Sequence, residues 1–133
     1  MTLTDPVTEV PAASSDAALA HFSRKLEFET DCSDVRAALA SGSPGFVLLD
    51  VRGRQDYSNG HIAQAINIPV TTIAEERLRE HPKSTLFVVY CAGPHCNGAN
   101  KAAIRLARLG RPVKEMIGGI TGWIDEGLPL VKS

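Results

Sequence analysis

Two short apolar runs dominate the hydrophobic pattern of the chain, at residues 46–51 and 86–90. Turn-forming residues bound both runs, which is typical of strands buried on both faces of a parallel sheet. Weaker patterns at residues 26–29, 66–69 and 113–116 also predict strands. Helical periodicity separates them, and we predict helices at residues 17–25 with Asp16 as N-cap, from Asp31 or Ser33 to Leu39, at 72–80, from Asn100 to Leu109, and around Trp123.

This alternation of strands and helices predicts an α/β domain with a largely parallel sheet. Residues 1–16 are rich in Thr, Pro, Ser and Ala without a sustained period, so we predict a mobile leader there and a single domain over residues 17–133. In open parallel sheets, ligands bind beyond the carboxyl ends of the strands. Asp50 and Arg52 follow one buried run and Cys91 follows the other, so we expect them to share one site.

The run at residues 86–90 ends in Cys91, and a loop rich in Gly and Pro leads to the next helix. Successive backbone N–H groups of such a loop, with the positive end of the helix dipole behind them, favour anions. We therefore expect the Cys91 thiol to ionise easily and to be reactive, rather than to be a small buried apolar residue. The predicted anion-binding loop comprises Ala92, Gly93, Pro94, His95, Asn97, Gly98 and Ala99.

Composition narrows the partners of this site. A net charge of -1 gives no electrostatic footprint for nucleic acid. No apolar run approaches the roughly 20 residues that a membrane span needs. The chain has three cysteines, an odd number that argues against a disulfide framework and favours free thiols in a reducing, cytoplasmic compartment.

Several short segments match a known family in their order and spacing. These are residues 48–52, Asp56 with Tyr57, 60–62, 65–69, 89–91, 118–120, Trp123 and 127–129. Through these segments the sequence resembles the rhodanese family of sulfurtransferases, from about Cys32 to Pro129.

The resemblance implies a mostly parallel five-stranded sheet flanked by helices on both faces. It also implies that Cys91 is the nucleophile. The cysteine would take a sulfane sulfur from a small donor such as thiosulfate, hold it as a persulfide and yield it to cyanide, a thiol or a protein acceptor. No cofactor is implied.

The loop after Cys91 departs from the commonest rhodanese pattern, because it is two residues longer. Its length is similar to that of rhodanese-fold phosphatases and arsenate reductases, in which an arginine six positions after the cysteine grips the oxyanion. Here that position is Asn97, and no Arg or Lys occurs between Cys91 and Asn100. Residues 96–99 also resemble a subgroup of single-domain rhodaneses with two loop cysteines.

Three roles are open for Cys96: it resolves a persulfide on Cys91 through an internal disulfide, it is the sulfur's second resting place, or it packs against the loop. A zinc site is disfavoured, because structural zinc needs four ligands and Cys32 lies far upstream. We expect Asp50, Arg52 and His61 to support the site rather than to do chemistry. His95 either assists proton transfer or faces solvent.

Three classes of function follow from these residues. The first is a single-domain sulfurtransferase. The second is a phosphatase or arsenate reductase, for which Asn97 is an unfavourable substitution. The third is a non-enzymatic sulfur-carrier module that hands a persulfide to a specific partner.

Overall fold

The computed structural model describes residues 5–133, and its centre is a five-stranded sheet in which every strand pairing is parallel. The strand order is β1-β5-β4-β2-β3. This confirms the predicted α/β class, with a sheet that is parallel throughout. The strands are β1 (Glu29–Thr30), β2 (Val47–Asp50), β3 (Ile66–Asn67), β4 (Phe87–Tyr90) and β5 (Val113–Met116).

Within residues 5–133 the structure has six α-helices and one 3₁₀ turn. The predicted flanking of both sheet faces by helices is confirmed, because α2 and α6 pack on one face while α4 and α5 pack on the other. The helices are α1 (Ser15–Phe28), α2 (Cys32–Ala40), α3 (Arg54–Asn59), α4 (Glu75–Leu78), α5 (Gly98–Arg108) and α6 (Gly119–Asp125), and the 3₁₀ turn is Val70–Thr72.

The two central strands, β2 and β4, carry the core because side chains alternate between the two sheet faces. Leu48 and Val88 pack toward α2 and α6, whereas Leu49 and Val89 pack toward α5. All four are at most 2% exposed, and burying each side chain stabilises the fold by about 1.5–3 kcal/mol. In the register of this pair Asp50 lies opposite Tyr90, so both strands end at the same edge of the sheet.

The first helix differs from its prediction at both ends. It begins at Ser15, and its N-cap is Ser14 rather than Asp16, because the Ser14 hydroxyl accepts a hydrogen bond from the Ala17 N–H. It ends at Phe28, so the strand predicted at residues 26–29 is wrong, and β1 covers only the two residues that follow. Since Leu26 and Phe28 are both exposed, their alternation with Glu does not reflect burial in the sheet.

Two further regions can be compared with their predictions: the segment before α1 and the connection between β2 and β4. Residues 1–4 of the predicted leader lie outside the described residues, and residues 5–14 form neither helix nor strand. α3 forms in a polar stretch for which the sequence pattern predicts no helix. The predicted helix at residues 72–80 is instead split, because Ile73 turns inward into the core in extended conformation and only α4 follows.

None of the helices in the part of the chain that the structure describes is long and apolar enough to cross a membrane.

Candidate active site

Cys91 follows the last residue of β4, as predicted, and its backbone opens the loop that leads to α5. The residue is 8% exposed, so its thiol lies just below the surface. It lines a cavity of about 210 Å³ at the carboxyl edge of the sheet, together with Cys96, loop residues and the segment from Glu115 to Gly119. The cavity is large enough for a small molecule, and Cys91 is part of its wall.

The amino end of α6 fixes the start of this loop. The Ile120 N–H donates to the Cys91 carbonyl at 3.1 Å. The Ala92 carbonyl accepts from both the Thr121 N–H, at 3.0 Å, and the Thr121 hydroxyl, at 3.1 Å. These bonds pair the first two carbonyls of the loop with the amino end of α6 and so fix the path of the chain after Cys91.

A tight turn then brings the second loop cysteine back to the first. The Cys96 N–H donates to the Gly93 carbonyl at 3.0 Å, and the two Sγ atoms lie 2.8 Å apart as free thiols in hydrogen-bond contact. The Gly98 N–H, in the first turn of α5, approaches the Cys96 Sγ at 3.4 Å. The pair therefore lies where the positive end of the α5 dipole favours negative charge.

The pKa values of the two thiols shift in opposite directions, because burial acts most strongly on Cys91 and hydrogen bonding on Cys96. Burial raises the pKa of Cys91 to about 11, and its contact with Cys96 adds to this effect. The hydrogen bond from Cys91 lowers the pKa of Cys96, as do the Gly98 N–H and, more weakly, the charge of Lys101. The first proton therefore leaves the pair at Cys96, so the prediction that Cys91 itself ionises easily is wrong. The acidic thiol lies five positions further along the chain.

Two glycines, Gly98 and Gly119, leave space for the sulfur pair and for the contact between the loop and α6. A Cβ at Gly98 would lie 2.6 Å from the Cys91 Sγ and 3.4 Å from the Cys96 Sγ. A Cβ at Gly119 would overlap the Cys91 carbonyl oxygen, and Gly119 also has a φ of 57°. Both the sulfur pair and the contact between the loop and α6 thus depend on the absence of a side chain.

Gly98→Ala is expected to separate the two sulfur atoms while the fold stays intact, since alanine is the better helix former. Without the hydrogen bond from Cys91, the pKa of Cys96 rises toward the ordinary cysteine value. A titration of thiolate absorbance against pH measures this shift. Gly45→Ala is the matched control, because nothing lies within 4 Å of its added Cβ. An unchanged first titration step in Gly98→Ala would show that the pair does not set the acidity of Cys96.

The remaining loop residues surround the pair on its outer side. His95 and Asn97 are exposed and line a second, open depression of about 520 Å³, which Cys96 shares but Cys91 does not. The Asn97 side chain makes no capping hydrogen bond to α5 in the described structure. Cys96 is therefore the one cysteine that connects the inner cavity to the outer surface.

Asp50 and Arg52 lie at the end of the neighbouring strand and are joined in a buried ion pair. The Arg52 guanidinium donates to the Asp50 carboxylate at 2.7 Å and to the Gly60 carbonyl at 2.7 Å. The charge of Asp50 reaches the site, where it is a minor cause of the raised pKa of Cys91. Through the bond to Gly60, this ion pair holds the loop after β2 against the carboxyl end of α3.

His61 lies apart from the sulfur pair and is held by other groups. Its Nδ1 lies 2.8 Å from the Tyr57 carbonyl, and its ring stacks on that of Tyr57 at 3.6 Å. Its backbone pairs with Val131 in an isolated bridge. These contacts support the structural interpretation of His61 that the sequence suggested.

Thr121, Asn100 and Glu115 were not predicted as site residues, and Gly98 was predicted only as part of the anion-binding loop. Thr121 anchors Ala92, Gly98 makes room for the sulfurs, and the side chains of Asn100 and Glu115 bond across the cavity rim at 2.9 Å. The glycine at the start of α5 was the available signal, because glycine is otherwise a poor choice inside a helix. No comparable signal identifies the rim pair, which depends on how β5 faces α5.

A cysteine on a loop between a buried parallel strand and a helix N-terminus is the central feature of this site. The model of the Rhodanese-like domain family matches residues 31–126. A protein from Allochromatium vinosum named sulfurtransferase is 30% identical over 103 residues, which cover 77% of this chain and 94% of the relative. The chain belongs to the rhodanese-like domain family.

Two further comparisons show similarity to a longer protein and to a solved structure. The HTH-type transcriptional regulator Rv0324 of Mycobacterium tuberculosis is 43% identical over 84 residues, 62% of this chain. The chain spans 36% of that relative's length. The crystal structure of the BH2092 protein from Bacillus halodurans superposes with a TM-score of 0.86 at 39% identity, over 90% of this chain and 87% of that one.

Proposed function

We propose that this chain is a sulfurtransferase that moves a sulfane sulfur through a persulfide on Cys91. The observation that carries the proposal is the position of the Cys91 Sγ: it lies at the carboxyl end of β4, in the wall of a 210 Å³ cavity and 2.8 Å from a second thiol. The name of the Allochromatium relative supports the same activity.

The acidity of the sulfur pair supports a simple loading step. Cys96 is the more acidic thiol of the pair, and when it is ionised it accepts the hydrogen bond of Cys91. As the Cys91 sulfur attacks the outer sulfur of thiosulfate, its proton passes to Cys96. The sulfur–sulfur bond of the donor breaks and sulfite leaves with the electron pair, so Cys91 carries the persulfide.

Unloading needs only a nucleophile that can reach the outer sulfur. Cyanide attacks that sulfur, thiocyanate leaves, and the Cys91 thiolate is restored. An acceptor thiol takes the sulfur in the same way and becomes a persulfide itself. Because Cys91 lies just below the surface, a small acceptor is the better fit, and a protein acceptor must insert a thiol into the cavity.

The absence of a cation in the loop argues against phosphate chemistry. Asn97 occupies the position from which an arginine would hold an oxyanion with two parallel bonds, and an amide has neither the charge nor that geometry. The backbone N–H groups of the first turn of α5 remain as anion donors. They suit a transient leaving group better than a tightly held phosphate.

An assay with two donors and one decoy tests the proposal. Wild type, Cys96→Ser and Cys91→Ser are each given thiosulfate or inorganic polysulfide together with cyanide, and the thiocyanate formed beyond a protein-free blank is measured. A parallel reaction contains an aryl phosphate. Thiocyanate from at least one donor and no phosphate release is the expected result. No thiocyanate from wild type or Cys96→Ser, or phosphate release that depends on Cys91, would overturn the proposal.

A further inference from the structure

The Sγ atom of Cys96 lies so close to the Sγ atom of Cys91 that a small movement would allow a bond between them. The two Sγ atoms are 2.8 Å apart, and a disulfide needs about 2.05 Å, so closure requires an approach of only about 0.8 Å. The turn formed by the Gly93 carbonyl and the Cys96 N–H fixes this approach within a six-residue segment. Both cysteines are free in this structure, so the pair is a dithiol ready to be oxidised.

The position of Cys96 favours attack on the inner sulfur of a loaded Cys91. Cys96 already touches the Cys91 Sγ itself, and its charge is stabilised there by the Gly98 N–H and by Lys101. The outer sulfur of a persulfide is one bond further from this contact whenever it extends into the cavity. A thiolate held against the inner sulfur, with a good leaving group beyond it, is the geometry of thiol–disulfide exchange.

We propose that Cys96 resolves the Cys91 persulfide, so that the chain releases the transferred sulfur as hydrosulfide and closes a Cys91–Cys96 disulfide. This rests on the proposed function, because it begins from the persulfide that the first step forms. It adds a second activity to the same site: thiol-driven reduction of sulfane sulfur, with no acceptor for the sulfur atom.

The atoms and electrons of this step balance within the site. A bond forms between the two cysteine Sγ atoms, and the bond from the Cys91 Sγ to the outer sulfur breaks. The proton that Cys96 gained during loading passes to the outer sulfur, which leaves with the electron pair and is reduced to hydrosulfide, while the two cysteine sulfurs are oxidised to the disulfide. A thiol reductant must then reopen the disulfide by exchange before the next turnover.

The outer depression supplies the access that such a reductant needs. Cys96 lines this open surface with His95 and Asn97, while Cys91 lies in the wall of the inner cavity. An external thiolate therefore reaches the Cys96 sulfur of the disulfide first, and Cys91 is the leaving thiolate. This order returns Cys91 to its reduced state, ready for another donor.

Intact-mass measurement and hydrosulfide detection test the proposal under anaerobic conditions. Wild type, Cys96→Ser and the control Cys32→Ser receive one equivalent of the donor that forms thiocyanate in the assay above, and unreacted thiols are then alkylated. We expect wild type and Cys32→Ser to lose two hydrogens and to release about one equivalent of hydrosulfide per chain beyond a protein-free blank. Cys96→Ser should load more slowly, gain one sulfur atom and release less than about a tenth as much.

The outcomes separate this proposal from the one on which it rests. If wild type and Cys96→Ser both retain the added sulfur, or if both release equal hydrosulfide, resolution by Cys96 is overturned while persulfide transfer stands. If neither variant is loaded by either donor, the proposed function fails and the resolution step fails with it. Wild type kept without donor must stay reduced, since a disulfide formed there would come from another oxidant.

Discussion

Cys91→Ser is expected to abolish sulfur transfer, with a loss of more than about a thousandfold in thiocyanate formation. A serine oxygen cannot form the sulfur–sulfur bond that stores the transferred atom, and at neutral pH it is a far weaker nucleophile than a thiol that can pass its proton to Cys96. The rate of thiocyanate formation with saturating donor and cyanide measures the effect.

Cys32→Ser is the matched control for this loss. Cys32 is buried in α2, and its Sγ donates to the carbonyls of Ile117 and Gly119 at 3.7 and 3.8 Å. A serine hydroxyl can make the same bonds, so transfer should stay within about threefold of wild type. If Cys32→Ser lost as much activity as Cys91→Ser, general sensitivity of the fold would explain both results, and the assignment of Cys91 would fail.

Arg52→Ala is expected to cost about 3–5 kcal/mol of unfolding free energy, because it leaves the Asp50 carboxylate buried without its cation. Asp50 is completely buried and the Arg52 side chain is 11% exposed. Removing the guanidinium leaves the carboxylate with the Arg52 backbone N–H, at 3.0 Å, and also removes the bond to the Gly60 carbonyl. Denaturant unfolding at neutral pH measures the change.

Two further variants identify the cause of that instability. Arg54→Ala removes an exposed arginine two positions away and should change stability by less than about 0.5 kcal/mol. In the double variant Asp50→Asn with Arg52→Ala, the orphaned carboxylate becomes a neutral amide, and part of the lost stability should return. A double variant less stable than Arg52→Ala alone would contradict the unpaired charge as the cause.

The fold could be predicted where burial and chain pattern agree. β2 and β4 are buried on both faces, so their apolar runs identify them directly, and Asp31 caps α2 as expected. The predictions of secondary structure are wrong where the apolar pattern and the observed burial disagree. Leu26 and Phe28 are apolar but exposed on α1, so their alternation with glutamate predicted a strand where the chain is helical. Ile73 packs inward between two short turns and interrupts what otherwise has the pattern of one helix.

The site was predictable in position but not in electrostatics. Because the carboxyl ends of parallel strands meet at one edge, Asp50 and Cys91 could be placed near each other from the sequence alone. The acidity of the two thiols could not, since it depends on the burial of Cys91 and on the hydrogen bonds to Cys96, which only the path of the loop creates. The role of Gly98 was hidden for the same reason: its contact with the sulfurs is purely spatial.

The most direct test of the central claim is the location of the transferred sulfur in Cys96→Ser, the variant expected to hold the persulfide. After loading with a sulfane donor and alkylation, proteolysis and fragment mass analysis identify the modified residue. We expect one additional sulfur atom on Cys91, absent from a sample that is treated with cyanide before alkylation. Additional sulfur on Cys32 alone, or a Cys91 peptide of unchanged mass after loading, would contradict it.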